Sequence, residues 1–283
     1  MVESPWAWEA RPDVWLLIVS LGMGYWWSVT RLRRKLALPP AAPSKKTIIQ
    51  FAAGLIVLWL AADWPLDRLG DDFLFSAHVV QFLLITMAAA PLLVCGVPTW
   101  LQVELVWPIR RMLAAVTRAP VSLGLFQTVL VVTHLPAVVE LYSSNSLVHF
   151  SLHALWLLSG CLFWLPLLGS EPVVRPLSSP VKIVYLIAAT VVPTIPAGFL
   201  TWTQSAFYAS YASAPRVWGI SPTTDLQLAG AIMKLGGGTI LWAHILFVFI
   251  GWASADQHER LASRTSGASG ASPTESPIRA RID

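Results

Sequence analysis

A stretch of 23 mostly apolar residues, Ser146–Leu168, carries two histidines four positions apart and sets the strongest constraint on the fold. A helix of that length spans roughly 35 Å, more than the hydrocarbon core of a bilayer at roughly 30 Å. His149 and His153 then lie on one face of the helix, with side chains about 5 to 6 Å apart. The sequence therefore predicts a membrane helix whose two imidazoles can reach the same ion or cofactor.

The composition of the whole chain supports a membrane protein. Of 283 residues, 55% are hydrophobic and only 12% are charged, which is too apolar for a soluble domain of this length. The basic residues form short clusters between apolar runs, where they act as topology signals, so we predict no nucleic-acid partner. Cys95 and Cys161 occur singly, which indicates neither a disulfide framework nor a thiolate metal site.

Hydropathy predicts an all-α fold, a polytopic transmembrane bundle of seven helices occupying residues 1–262. Each apolar run is long enough to cross a membrane. The segment 100–116 is read either as an interfacial helix or as an ordinary loop. Residues 263–283, rich in Ser, Gly, Ala and Pro, are predicted to be a disordered cytoplasmic tail. The seven predicted spans are residues 14–29, 48–64, 73–94, 121–142, 146–168, 181–204 and 226–252.

The charges flanking these spans predict their orientation. Six basic residues between Arg31 and Lys46 form the densest basic loop, which the positive-inside rule places in the cytoplasm. The N-terminus is then outside and, with an odd number of spans, the C-terminus is cytoplasmic. Acidic residues around the second loop, among them Asp67 and Asp71, fall on the outer side.

This topology gathers polar residues in the outer half of the membrane. Neutral imidazole is a good ligand for copper, zinc or haem iron, although each histidine could equally serve as a hydrogen-bonding group between helices. No span offers HExxH or a similar catalytic constellation, so we predict a protein that is not an enzyme. The predicted metal ligands are His78, His134, His149 and His153, and the predicted supporting polar residues are Gln81, Asp225, Gln227 and Lys234.

Four runs of this sequence together resemble a known family. They are LFSAHVVQFLLITMAAAPLLVCGVP at residues 74–98, THLPAVVELY at 133–142, LVHFSLHALWLLSGCLFWLPLLGSEP at 147–172, and DLQLAGAIMKLGGG at 225–238. The chain is similar, from its second span to its seventh, to the polytopic CtaG family of cytochrome c oxidase assembly factors, associated with caa-type oxidases. The resemblance implies a seven-helix protein of the bacterial cytoplasmic (inner) membrane that supports maturation of a haem–copper oxidase of the respiratory chain.

The resemblance also assigns residues. His78 and Gln81 match the family's H-x-x-Q-H run, whose second histidine is Phe82 here. The pair His149 and His153 matches its H-x-x-x-H. His134 matches an H-x-P element, Asp225 and Gln227 match a polar entry to the last helix, and Lys234 stands where an apolar residue is more usual.

Three hypotheses follow for the function. The first is an assembly factor and chaperone that binds copper in the outward-facing histidine cluster and assists its delivery to cytochrome c oxidase subunits, with periplasmic copper chaperones and membrane lipid as further partners. The second is a haem-binding membrane protein that uses the same histidines as axial ligands. The third is a metal-free structural chaperone of oxidase subunits, whose histidines bond between helices.

Overall fold

A computed structural model describes residues 4–36 and 40–269 of the chain, and these residues form helices joined by short turns and loops, with no strand among them. The predicted all-α class is confirmed. The α-helices are α1 Pro12–Trp27, α2 Arg33–Lys35, α3 Lys45–Ala62, α4 Leu66–Asp72, α5 Phe75–Leu83, α6 Ala90–Gly96, α7 Thr99–Val106, α8 Arg110–Val116, α9 Ala119–Thr133, α10 Pro136–Ser143, α11 Ser146–Leu168, α12 Ser179–Ala189, α13 Thr194–Thr201, α14 Ala209–Ser213, α15 Pro222–Ala231 and α16 Gly238–Ser269.

Five helical units in the described part of the chain are long and apolar enough to cross a membrane, and a bent pair gives a sixth if it counts as one span. The predicted first span, residues 14–29, lies in α1 and the π-helical turn Ser28–Leu32 that continues it, and this helix is not among the five units. The count of seven is therefore not confirmed. The five units are Lys45–Asp72, Phe75–Gly96, Ser146–Leu168, Ser179–Thr201 and Pro222–Gln257, and the pair is Thr99–Val116 with Ala119–Thr133, bent by 89°.

The largest difference from the predicted helices is caused by a proline, Pro136. The fourth predicted span, 121–142, is broken because α9 ends at Thr133 and α10 begins only at Pro136. A residue before proline is disfavoured in the helical region, and Leu135 is extended, at φ −71° and ψ 140°. The break places His134 at the C-terminal end of α9 instead of inside a continuous helix.

Two further segments are helical. Residues 100–116, for which a helix and a loop were both open, are helical and lead into α9 at the 89° bend. Helix α16 continues to Ser269, so the first residues of the predicted tail 263–283 are helical. The rest of that tail, 270–283, lies outside the described residues.

The bundle core is aromatic and the outer surface is apolar. Trp156, Trp164 and Phe163 are fully buried, whereas Trp202 and Phe247 are 80% and 79% exposed. An apolar surface of this kind is stable where hydrocarbon, not water, surrounds it. The bundle thus has two apolar environments, and its buried polar groups must find partners inside the protein.

Close helix contacts depend on glycine at several crossings. Helix α3 packs on α6, where a Cβ added to Gly96 would lie 2.5 Å from Phe51 Cα. A π-helical turn, Ile232–Gly237, connects α15 to α16. There a Cβ on Gly236 would lie 3.1 Å from a Leu83 methyl group, so the glycine run allows close helix approach.

We expect Gly96→Ala to lower the stability of the fold by about 1–3 kcal/mol, because the added methyl group overlaps backbone atoms that cannot move aside. Thermal unfolding of the purified protein in detergent, followed by circular dichroism, measures the change. Gly124→Ala is the matched control, since no atom lies within 4 Å of a Cβ at that helical glycine. Equal melting temperatures for the two variants would contradict the proposed α3–α6 contact.

Candidate metal centre

The first two turns of α11 hold the centre of the site. Asn145 starts the helix, because its side-chain oxygen accepts hydrogen bonds from the backbone N–H groups of Leu147 and Val148. His149 and His153 follow on one face, and both are buried. Their Nε2 atoms lie 3.2 Å apart. The predicted histidine pair therefore forms a single cluster in the structure.

A carboxylate from α4 completes this cluster. Asp67 is buried, and its Oδ1 atom lies 3.5 Å from His149 Nε2. One ligand atom from each of Asp67, His149 and His153 lies within 4.8 Å of the others. Among the described residues, these are the three histidine, cysteine or carboxylate ligands that lie close enough to one another to share a metal ion. We call these three residues the centre.

Asp67 is fixed by two further side chains. Gln81 of α5 donates from Nε2 to Asp67 Oδ1 at 3.0 Å and to the Ala61 carbonyl at 2.9 Å. Arg11, just before α1, binds Asp67 Oδ2. The carboxylate is thus held by Gln81 of α5 and by Arg11 just before α1, and its Oδ1 atom faces the imidazoles.

Asp71, one helical turn after Asp67, lies beside His149. Its Oδ1 atom lies 3.2 Å from His149 Nδ1, on the side of the ring opposite the centre. Asp71 Oδ1 makes no hydrogen bond to any described residue, so this contact is electrostatic. A proton on Nδ1 is the arrangement that the carboxylate favours, and it leaves the lone pair of His149 on Nε2. That lone pair points at two other ligand atoms, so the arrangement requires either a proton from His153 or a cation between them.

The other two predicted histidines lie outside this group. His78 is fully buried on α5, with its ring centroid 6.5 Å from that of His149 and 4.7 Å from that of Tyr142. Neither of its ring nitrogens has a hydrogen-bond partner. His134 Nδ1 lies 2.7 Å from the Leu130 carbonyl, and its ring packs against Phe82. The structure therefore joins two of the four predicted histidines directly.

Of the four predicted supporting residues, Gln81 contacts the centre. Asp225 instead accepts hydrogen bonds from the backbone N–H groups of Phe75 and Ser76, at 2.7 and 3.1 Å, and so caps the start of α5. Asp225 therefore supports the site indirectly, because α5, the helix that it caps, carries both His78 and Gln81. Gln227 donates to the Thr203 carbonyl at 3.0 Å. Lys234 donates to the Thr194 hydroxyl and pairs with neither Asp225 nor Glu140.

The centre opens into an acidic cleft of about 880 Å³, which Asp67 and His149 help to line. Five carboxylate side chains and two guanidinium groups line it, which favours the approach of a cation. The charged lining residues are Glu9, Asp13, Asp67, Asp71, Asp72, Arg11 and Arg68.

Helix α14, which lies outside the membrane-spanning segments, holds the position of α4. Tyr211 is buried there, and burial raises the pKa of its hydroxyl well above the ordinary value. The neutral hydroxyl donates to the Gly70 carbonyl at 2.6 Å. Because Gly70 lies between Asp67 and Asp71, this bond positions both carboxylates.

Sequence reasoning missed three residues of the site. Asp67 and Asp71 were interpreted only as markers of the outer side, and Arg11 was not considered. One signal was available: the D-x-x-x-D spacing puts two carboxylates on one helical face, as H-x-x-x-H does for the imidazoles. Pairing these two faces requires knowledge of how α4 docks on α11.

The fold and the site define the class as a helical membrane protein with a buried histidine–carboxylate cluster open to an acidic cleft. Within that class, the family model for the cytochrome c oxidase caa3 assembly factor (Caa3_CtaG) matches residues 23–255. The chain belongs to this family, which confirms the resemblance seen in the sequence. No curated protein and no solved structure matches the chain.

We expect Asp225→Asn to destabilise the protein by about 1–3 kcal/mol, because a neutral amide offers one acceptor oxygen where the carboxylate satisfies two buried N–H groups. Thermal unfolding in detergent measures this effect. The same change at the partly exposed Asp13 should alter stability by less than about 0.5 kcal/mol. If both variants melt together, the cap on α5 does not stabilise the fold.

Proposed function

We propose that this member of the cytochrome c oxidase assembly-factor family holds copper at the centre and assists its delivery to an oxidase subunit in the same membrane. The role is non-enzymatic, since the copper is cargo and is not consumed. The partners we propose are cytochrome c oxidase subunits and periplasmic copper chaperones, with membrane lipid around the bundle. The proposed location is the bacterial inner membrane.

One observation supports the copper proposal above the others: three lone-pair donors, from Asp67, His149 and His153, converge within 4.8 Å of one another. Two imidazoles and a carboxylate suit a divalent first-row metal, and copper stands highest in the general order of affinity. Asp71 is the outer partner that such a metal-binding histidine commonly has. Direct ligation by His78 and His134 stays a prediction.

The proposed orientation follows from the position of the centre relative to the basic loop. Arg11, at the start of α1, contacts Asp67, which follows the end of α3. Arg33 begins α2, which the π-helical turn Ser28–Leu32 joins to the far end of α1, and Lys45 begins α3 at the end away from Asp67. If that basic end is cytoplasmic, the centre faces outward. We propose this arrangement, with α1 as a first membrane helix and seven helices in all.

The haem alternative receives less support from the geometry. Two axial nitrogens on opposite faces of an iron atom would be roughly 4 Å apart, twice a metal–nitrogen bond of about 2 Å. The Nε2 atoms of His149 and His153 are 3.2 Å apart and come from one face of one helix. A haem ligated by this pair does not fit between them.

We expect the purified protein to bind copper, and His149→Ala combined with His153→Ala to abolish binding, because two of three ligands are lost. Asp67→Asn should weaken it at least about tenfold, in line with loss of a charged ligand. Copper content by mass spectrometry and titration with Cu²⁺ provide the measurement. His244→Ala is the control, since its ring nitrogen instead bonds the Ile240 carbonyl.

The outcomes separate the three hypotheses. Copper retained by the double histidine variant would show that the centre is not the copper site. A Soret band in the purified protein would establish haem. Oxidase failure on deletion, with neither metal nor colour in the purified protein, would leave the structural chaperone.

We expect Asp71→Asn to reduce copper affinity by about 10- to 100-fold, because the carboxylate orients His149 and increases its basicity. Glu9→Gln is the matched control, since it removes one negative charge from the same cleft at a residue that pairs with Arg68 and contacts neither His149 nor Arg11. Titration with Cu²⁺ measures both. An equal loss in the two variants would show that Asp71 acts only through the net charge of the cleft.

A further inference from the structure

A second cavity, of about 700 Å³, lies on the side of the bundle between α9, α12 and α16. Its lining is mostly apolar, and it includes the turn where α12 ends. Representative lining residues are Phe82, Leu130, Pro193, Lys234, Gly238 and Trp242. We call it the lateral groove.

Lys234 is the charged residue of this groove, and it lies well inside the candidate membrane span Pro222–Gln257. It follows Pro222, the first residue of its span, by twelve positions, or about 18 Å of helix. Pro222 is at the same end as Asp225, which contacts the start of α5 near the centre. With Pro222 at the edge of a hydrocarbon core about 30 Å thick, helix length places the backbone of Lys234 near the midplane, and we infer the depth of its ammonium from this.

The hydrogen bonds of Lys234 are incomplete in the described part of the chain. An ammonium group has three donors, and the hydroxyl of Thr194 accepts one of them. No carboxylate of the described residues pairs with it. A lysine at such depth is costly unless an acceptor or an anion compensates it. The exposed Lys234 side chain therefore calls for a partner from outside the chain.

The shape of the groove admits an apolar body beside that charge. Leu235, Trp242 and Leu246 are 69%, 56% and 58% exposed. At Gly238, a Cβ would meet no atom within 4 Å, so the groove has free space next to α16. Small residues at such a position allow another helix to approach closely.

We propose that the lateral groove binds a transmembrane helix of a partner protein that carries a carboxylate at mid-membrane depth, and that this carboxylate pairs with Lys234. Depth favours a helix over a lipid: the head groups of phospholipids and fatty acids stay at the interface, about 15 Å from the midplane. A helix, by contrast, fixes a carboxylate at a chosen depth. This inference adds the chemistry of a membrane partner to the proposed assembly role and does not depend on copper.

The test uses the full-length protein in phosphatidylcholine vesicles and a dansyl-labelled synthetic apolar helix of about 23 residues with one central glutamate. Energy transfer from the tryptophans of the protein reports binding. We expect this peptide to bind about tenfold more tightly than the same peptide with central glutamine. Lys234→Met should remove that preference, and Lys234→Arg should retain it.

A steric variant tests the groove without removing its charge. Gly238→Leu should fill the free space and reduce binding of the glutamate peptide by about tenfold or more, whereas Gly251→Leu should not. Gly251 is the control because it lies on the same helix, also has no atom within 4 Å of a Cβ, and is not part of the groove lining.

Three results would overturn the proposal: equal binding of the glutamate and glutamine peptides, a preference that survives Lys234→Met, or displacement of the peptide by oleate at equal membrane concentration. The last would assign the groove to an anionic amphiphile. Copper titration of Lys234→Met should match the unmodified protein. Failure at the copper centre and failure at the groove are therefore distinguishable.

Discussion

The contact between the carboxylates of α4 and the imidazoles of α11 is the interaction on which the site depends. Charged and polar groups are expensive inside a bundle surrounded by hydrocarbon, and Asp67 and His149 are both buried. Each lowers the free-energy cost of burying the other. Oδ1 of Asp67 faces the His149 ring nitrogen, and its Oδ2 atom binds Arg11. Because a half-satisfied polar cluster would be unstable, the surrounding elements must hold these groups in register.

The surrounding elements do this through bonds that come from distant parts of the sequence. Asp225 caps α5 across 150 positions, and Tyr211 bonds the Gly70 carbonyl across 141. Gln81 then joins α5 to Asp67 directly. The helices of the site are local, but their positions depend on long-range contacts. Helix α14 supports α4, and α15 supports α5.

These long-range contacts also decide what the sequence could predict. The bounds of α11 and the pairing of His149 with His153 follow from local rules of length and spacing, and the structure has both. Asp67 was missed because its role depends on docking between helices. His134 was placed with the cluster on the assumption of a continuous span. Pro136 interrupts that span, because α9 ends before it. The imidazole of His134 instead contacts the Leu130 carbonyl through Nδ1.

Phe82 lies between the two regions of the molecule, and the structure gives a physical reason for a phenylalanine at this position. Its fully buried ring lies in the lining of the lateral groove and packs edge-on against His134 and Trp156, with centroids 5.4 and 5.2 Å away. A histidine there would bring a polar ring to the boundary between the groove and the imidazoles. Phenylalanine needs no hydrogen-bond partner, so it closes the polar interior against an apolar groove. In our proposals, the end of the bundle with the centre then holds a cation while the lateral groove receives a partner helix.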